Sequence, residues 1–228
     1  MSLAGMGVVA TWHDILPEAK QEFYEWHSRE HMPERVGIPG FRRGRRYVAL
    51  EGAPQFFTLY EADSAEVLGG LDYLNRLNAP TEWTRRMMPS LRNFVRSQCR
   101  VVVTSGTGSG GVMLTMRFNI AAEHRTGALE ALTRRILQPL NYASGVTGVH
   151  LCLPDEAAST IEMVDPTPRP GASAVPEWIA LIEGIATASV RGAGDTLASA
   201  LQSLHAGAVD TAIYRHEITR LKTPWSAG

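Results

Sequence analysis

Pro54-Gln-Phe-Phe-Thr-Leu-Tyr-Glu-Ala62 and Pro176-Glu-Trp-Ile-Ala-Leu-Ile-Glu-Gly184 decide the fold when laid side by side. Pro, Leu and Glu fall at the same places in both. Each is a short aromatic and β-branched run behind a proline, the composition of a strand. Working backward, each is preceded by another strand behind a glycine-bracketed turn. Gly37-Ile38-Pro39-Gly40 leads into FRRGRRYVAL (41–50), and Gly145-Val146-Thr147-Gly148 leads into VHLCLP (149–154). Further back lie helical stretches, 17–35 and 123–141, and opening strands, GVVATWHDI (7–15) and GVMLTMRFNI (111–120). Working forward, each is followed by helix, 64–97 and 189–205, and a closing strand, 98–104 and 210–221. The order β-α-β-β-α-β therefore occurs twice, and each pass is the ferredoxin-like motif.

The expected class is α+β: two ferredoxin-like units in one chain, 1–105 and 106–228, forming a pseudo-dimeric α/β barrel. The join is the glycine- and serine-rich stretch 104–111, flexible by composition. Residues 154–176, with five of the 13 prolines, read as a loop inserted in the second unit. A ferredoxin-like sheet carries helices on one face, so its other face must be covered if it is apolar. Alternation along the first strand separates Val8, Ala10 and Trp12 from Val9, Thr11 and His13; the fifth separates Val112, Leu114, Met116 and Phe118 from Met113, Thr115, Arg117 and Asn119. The first set of each is expected to face the helices and the second to line a cavity. Phe56, Thr58 and Tyr60, with Trp178, Ala180 and Ile182, are assigned to that second face.

Composition bounds the function. The 228 residues carry 22 Lys and Arg against 23 Asp and Glu, so no global field draws the chain to nucleic acid or a membrane surface. Two cysteines, Cys99 and Cys152, exclude a disulfide scaffold and a four-cysteine zinc site. No apolar run approaches the ~18 residues of a membrane span, and the N-terminal stretch lacks the basic start of a signal peptide. The expectation is a cytoplasmic protein.

Titratable groups collect in Phe23-Tyr-Glu-Trp-His27-Ser-Arg-Glu30-His31-Met-Pro33-Glu-Arg35. Residues three and four apart share a helical face, so Phe23, Trp26, His27, Glu30 and His31 form one stripe. Aligning Phe23 with Leu129 and Pro33 with Pro139 sets His27 on Thr133, Glu30 on Ile136 and His31 on Leu137. The second helix packs with apolar residues where the first carries ionisable ones. Burying polar groups costs free energy unless they are partnered, so this departure marks the candidate site. The opposing reading sets both histidines at the stripe's edge, bonded to backbone. His27-Ser-Arg-Glu-His31 also fits H-x-x-E-H, an inverted zinc-protease pattern, but no third ligand is identifiable and no metal is expected. Arg42, Arg43, Arg45 and Arg46 form a basic cluster. Alternation sets Arg43 and Arg45 with Phe41 and Tyr47, and Arg42 and Arg46 with Val48 and Leu50; one reading takes a pair to an interior carboxylate or an anionic ligand, and the favoured one is a charge-protected edge strand.

Trp26-His27-x-x-Glu30-His31-Met32-Pro33-Glu34-Arg35, then Pro39-Gly40-Phe41 and Arg45-Arg46-Tyr47, resembles proteins of the dimeric α/β-barrel superfamily, close to its EthD-like branch. The resemblance covers about residues 7–103; the second half shares only element order and the third strand. It implies ferredoxin-like units paired through their sheets, with a small-molecule pocket inside each, and activities that range over cofactor-free oxygenases, lactone isomerases, polyketide-tailoring enzymes and haem-handling enzymes. Only the helix-one histidine signature carries over, onto His27 and His31.

The functional expectation is an enzyme acting on a small organic molecule in the first unit. His27 or His31 is the general base, since imidazole titrates near neutrality, and Glu30 orients it. Thr11, His13, Trp26, Phe56 and Tyr60 bind the substrate. The reaction is proton abstraction beside a carbonyl (an isomerase) or cofactor-free oxidation of an electron-rich ring (an oxygenase). The alternative is a non-catalytic binder of a hydrophobic metabolite, haem or a metal ion; a third is an interaction module, with self-association of the duplicated chain as a further expectation. The cofactor and substrate are not named by the sequence.

Overall fold

A computed structural model describes residues 2–155 and 177–222. β1 (Gly7–Ile15) runs into α1 (Lys20–Trp26), a π-helical turn (His27–His31) and α2 (Met32–Gly37). β2 (Phe41–Glu51) and β3 (Phe56–Ala62) follow, then α3 (Leu71–Asn78), α4 (Glu82–Met87) and β4 (Leu91–Gly106). The second pass has β5 (Val112–Phe118), α5 (Arg125–Ala131), a π-helical turn (Leu132–Ile136), α6 (Leu137–Leu140), β6 (Val146–Pro154), β7 (Trp178–Gly184), α7 (Thr187–Ser203) and β8 (Asp210–Leu221). The expected inserted loop falls at 156–176, outside the described residues.

The eight strands close into an antiparallel barrel in the order β1-β3-β2-β8-β5-β7-β6-β4. Each pass supplies four adjacent strands, and the passes meet where β2 pairs β8 and β4 pairs β6. The protein therefore has the α+β, dimeric α/β-barrel architecture with both halves in one chain. The halves join edge to edge as well as face to face, and β2 is no edge strand. Closure removes every free edge. Helices cover the outside; no described helix is long and apolar enough to cross a membrane.

The registers fix which positions correspond. Gly7 pairs with Ala62 in the first pass and Val112 with Gly184 in the second. The two π turns, at 27–31 and 132–136, have the same offset of 105 residues. His27 thus corresponds to Leu132, His31 to Ile136, Glu30 to Arg135 and Phe23 to Ala128. The alignment through Pro33 and Pro139 is one residue out, because those prolines are not equivalent. Pro33 sits in the first turn of α2, where a missing N–H costs little, so the helix continues past it to Gly37.

The opening strands slip by one residue the other way when Val8 is matched with Val112, since Gly7 corresponds to Val112, and a one-residue slip in a strand reverses its face. Val8, Ala10 and Trp12 face the barrel interior, packed with Tyr47, Phe57, Leu59 and Leu181. Val9 faces the helices with Met32, Val36 and Tyr60. On β5 the assignment stands: Val112, Leu114, Met116 and Phe118 pack against helices, joined there by Trp178, Ala180 and Ile182, which the sequence had set on the opposite face. The residues read as one long helix over 64–97 divide between α3, α4 and β4, so Leu91, Phe94 and Val95 lie on a strand. A bulge between Phe41 and Arg43 puts Phe41 on the helix side and Tyr47 inside.

One end of the interior is closed by charge. Arg45 bonds Glu61 at 2.9 Å and Glu183 at 2.9 Å, His150 Nε2 lies 3.2 Å from Glu183, and Arg43 reaches Glu61 at 2.7 Å. Glu61 and Glu183 are the matched glutamates of the two third strands, so their recurrence has a structural cause: each meets Arg45 inside the barrel. Hydrogen bonds from His150 and the Arg45 charge overcome burial and hold Glu183 at about 2.

Candidate functional site

Between the first-pass helices and the outer face of its sheet lies a cavity of about 80 Å³, partly open to solvent. β1 contributes Val9, Thr11 and His13; the helix-one segment contributes Trp26, His27, His31 and Arg35. Tyr60 comes from β3, Tyr73 and Leu77 from α3, Met88 from the turn after α4, and Phe94 and Arg96 from β4. Of the expected residues, Thr11, His13, Trp26, His27, His31 and Tyr60 converge here. Phe56 stands one layer behind, against Phe23 and the stacked ring of His13. Glu30 turns away.

The π turn explains the divergence of Glu30 from the histidines. Its wider i→i+5 bonding changes the angular spacing of 27–31 relative to a regular helix. His27 and His31 remain paired, ring centroids 5.6 Å apart. The Glu30 carboxylate accepts from Thr81 Oγ1 at 2.5 Å and Thr84 Oγ1 at 3.4 Å. Thr81 caps α4 by accepting from the Thr84 N–H, and Trp26 Nε1 donates to Thr84 Oγ1 at 3.1 Å. Glu30 is thus a tie to α4. The acid nearest the histidines is Glu34, with Oε2 3.9 Å from His31 Nδ1 and Oε1 3.4 Å from Arg76. Glu34 is buried, which pushes its carboxyl pKa up, while Arg35 and Arg76 oppose the rise.

The hydrogen bonds assign tautomers. Arg46 Nη1 lies 3.2 Å from His27 Nδ1. A guanidinium only donates, so His27 Nδ1 accepts and its proton sits on Nε2, 3.4 Å from the Tyr60 hydroxyl oxygen. Burial, then the neighbouring His31, Arg46 and His13, hold His27 well below the ordinary imidazole range. It is a neutral donor to Tyr60. Burial keeps Tyr60 protonated, raising its pKa against the pull of Arg35 and Arg46. His13 Nδ1 faces the Asp14 carbonyl at 3.3 Å, so it carries the proton. Burial among Phe23, Phe56 and Phe94 lowers His13 to about 4.

Arg35, Tyr73 and Arg96 are not among the residues that the sequence pattern assigns to the site, and Arg46 is named there only in the basic cluster. With the offset of 105, Arg35 falls on Leu140, a signal that was available. The same offset sets Thr11 on Met116 and His13 on Phe118, and the third-strand register sets Tyr60 on Ile182. Those counterparts, with Leu132 and Leu140, form a single apolar core in the second pass. No three His, Cys, Asp or Glu side chains converge as a metal site among the described residues.

No protein-family model and no curated protein sequence matches the chain. Solved structures do. An anthrone oxidase-like protein superposes with a TM-score of 0.68 at 11% identity, over 98% of this chain and 96% of the other. A monooxygenase-like protein from Fusobacterium nucleatum subsp. nucleatum gives 0.60 at 8% identity, over 96% of each. A chlorite dismutase-like protein gives 0.59 at 9%, also over 96% of each. At these identities the likeness is one of fold.

Proposed function

We propose that the protein is a small-molecule enzyme of the oxygenase or isomerase kind, with its site in the first of two duplicated units, 1–105, and the diverged unit, 106–228, as scaffold. The observation that carries this is the replacement, position by position, of an apolar core by Thr11, His13, His27, His31, Arg35 and Tyr60 around a cavity. The string around His27 and His31 favours kinship with the EthD-like branch. The neighbours named oxidase-like and monooxygenase-like favour oxygen chemistry.

His31 is the base in this reading: its ring lines the cavity, Glu34 Oε2 stands 3.9 Å from its Nδ1, and the imidazole takes a proton from carbon beside a substrate carbonyl. His27 is a positioning residue, since Arg46 occupies its Nδ1 and its Nε2–H goes to Tyr60. Tyr60 keeps its own proton and offers it to the carbonyl oxygen on which negative charge develops, the geometry that electrostatic catalysis needs. The resulting enolate either regains the proton at another carbon, an isomerisation, or is oxidised by O₂. Trp26, stacked 4.4 Å from His31, fixes that ring.

The test is solvent-deuterium exchange into, and O₂ uptake with, a panel of anthrones and aryl ketones. Turnover should fall about 10²–10⁴-fold in His31→Gln, the range for a lost general base. It should fall in Tyr60→Phe with KM little changed. No exchange or uptake across the panel, or His31→Gln turning over like the parent, refutes the catalytic reading.

A further inference from the structure

Four arginines are buried among the described residues: Arg35, Arg45, Arg46 and Arg117. Three meet carboxylates. Arg45 has Glu61 and Glu183, Arg46 has Glu217, and Arg117 has Asp210 and Glu177. Arg35 has none within 4 Å among the described residues, although it is 7% exposed. Its Nη1 is buried without a hydrogen-bond partner. Glu34, its chain neighbour, sends its carboxylate oxygens to Arg76 and His31 and acts on Arg35 only beyond ion-pair distance. A guanidinium cannot shed its proton to relieve burial, and a buried cation with an unmade hydrogen bond and no carboxylate in contact is unfavourable. The fold does not need a cation there, since the equivalent position of the second pass holds Leu140 within an apolar core.

Arg35 lines the cavity. Trp26, Phe41, Leu77 and Phe94 supply the apolar part of the same wall, and half-exposed Pro80 and Met88 stand where it meets solvent. We infer that the ligand is a small aromatic carboxylate whose anionic group is the missing partner of Arg35, its ring lying against those apolar side chains. A guanidinium takes a carboxylate through two parallel N–H···O bonds, which fixes the ring's orientation beside His31 and Tyr60. This rests on the cavity being the binding site proposed above, and it names the substrate class.

The experiment titrates benzoate and its neutral isostere benzamide into the full chain, followed by amide chemical shifts of the cavity residues. Wild type should hold benzoate at least about tenfold tighter than benzamide, the scale of one charge-assisted pair. Arg35→Leu should lose that preference while keeping benzamide; Arg35→Lys should retain part of it. Ligand-free Arg35→Leu should melt at or above the parent's temperature, since a lone charge has been replaced by the residue the second pass uses. Equal wild-type affinities, binding of neither probe, an unchanged preference in Arg35→Leu, or a lower melting temperature for that variant would each overturn the inference. Arg35-dependent benzoate binding with no turnover of any carbonyl substrate leaves it standing and removes only the catalytic reading.

Discussion

His13→Phe should flatten the acid limb of the stability curve. His13 is buried among three phenylalanine rings and its equivalent in the second pass is Phe118, so a phenyl ring suits the site. Its folded pKa is about 4 against 6.5 when exposed. Between those values the unfolded chain binds the proton and the folded chain does not, so stability falls as pH drops from 6.5 toward 4 and is level outside that window. Integrating between about pH 7.5 and about pH 5 gives a loss of about 2 kcal/mol from this one side chain. His27, also held low by burial, adds its own loss to both proteins and cancels to first order. The variant forfeits the Nδ1–H bond to the Asp14 carbonyl, about 1 kcal/mol at either pH. It should therefore be slightly less stable than wild type near neutrality and more stable by about 1 kcal/mol near pH 5. Urea unfolding followed by tryptophan fluorescence at the two pH values measures this directly. Parallel acid limbs in the two proteins would refute the burial argument for His13.

Glu30→Gln should cost about 1 kcal/mol through weaker bonds to Thr81 and Thr84, and should leave the pH profile of turnover where it was; a shifted profile would return Glu30 to the chemistry. Arg46→Met removes the donor at His27 Nδ1, so ¹⁵N imidazole shifts should show His27 losing its fixed Nε2–H tautomer. Arg45→Met leaves Glu61 with Arg43 and Glu183 with His150 as their remaining side-chain partners inside the barrel and should cost about 3 kcal/mol in chemical denaturation; near-native stability would mean that those partners or water replace the lost guanidinium.

The barrel was legible because element order and the matched third strands need only local pattern. Strand 210–221 was read to the residue. The faces of β1 were not legible in the same way. A helix alignment can slip by one residue and still look sound, whereas a strand so slipped shows its opposite side. Gly7 and Gly111 invite that strand slip, and Pro33 and Pro139 invite a helix slip in the other direction; each pair looks like a landmark, yet Gly7 corresponds to Val112 and the two π turns set Pro33 on Gln138. Trp83, Met87, Leu91 and Phe94 kept helical spacing across a boundary between α4 and β4, so periodicity alone extended the helix. The histidine pair survived both errors: His31 stands against Leu137 under one offset and Ile136 under the other, and His27 moves from Thr133 to the buried Leu132. Glu30 did not survive as an orienting group: its side chain is claimed by Thr81 and Thr84, fifty residues away in sequence.

The two passes act as a control for each other. Both build a helix-covered sheet on the same registers, so whatever the fold demands at a position should appear in both. Leu132, Leu140, Phe118 and Ile182 satisfy that demand with apolar contact alone. Set against them, His27, Arg35, His13 and Tyr60 bring hydrogen-bond needs that packing does not create, and only some are met within the chain. His27 is satisfied by Arg46 and Tyr60, and His13 by a carbonyl. Arg35 is not. A buried side chain that lines a cavity with a guanidinium nitrogen lacking a hydrogen-bond partner is what the proposed anionic ligand would complete. That difference between satisfied and unsatisfied polar groups, more than the presence of histidines, points to a binding site in the first pass and to packing in the second.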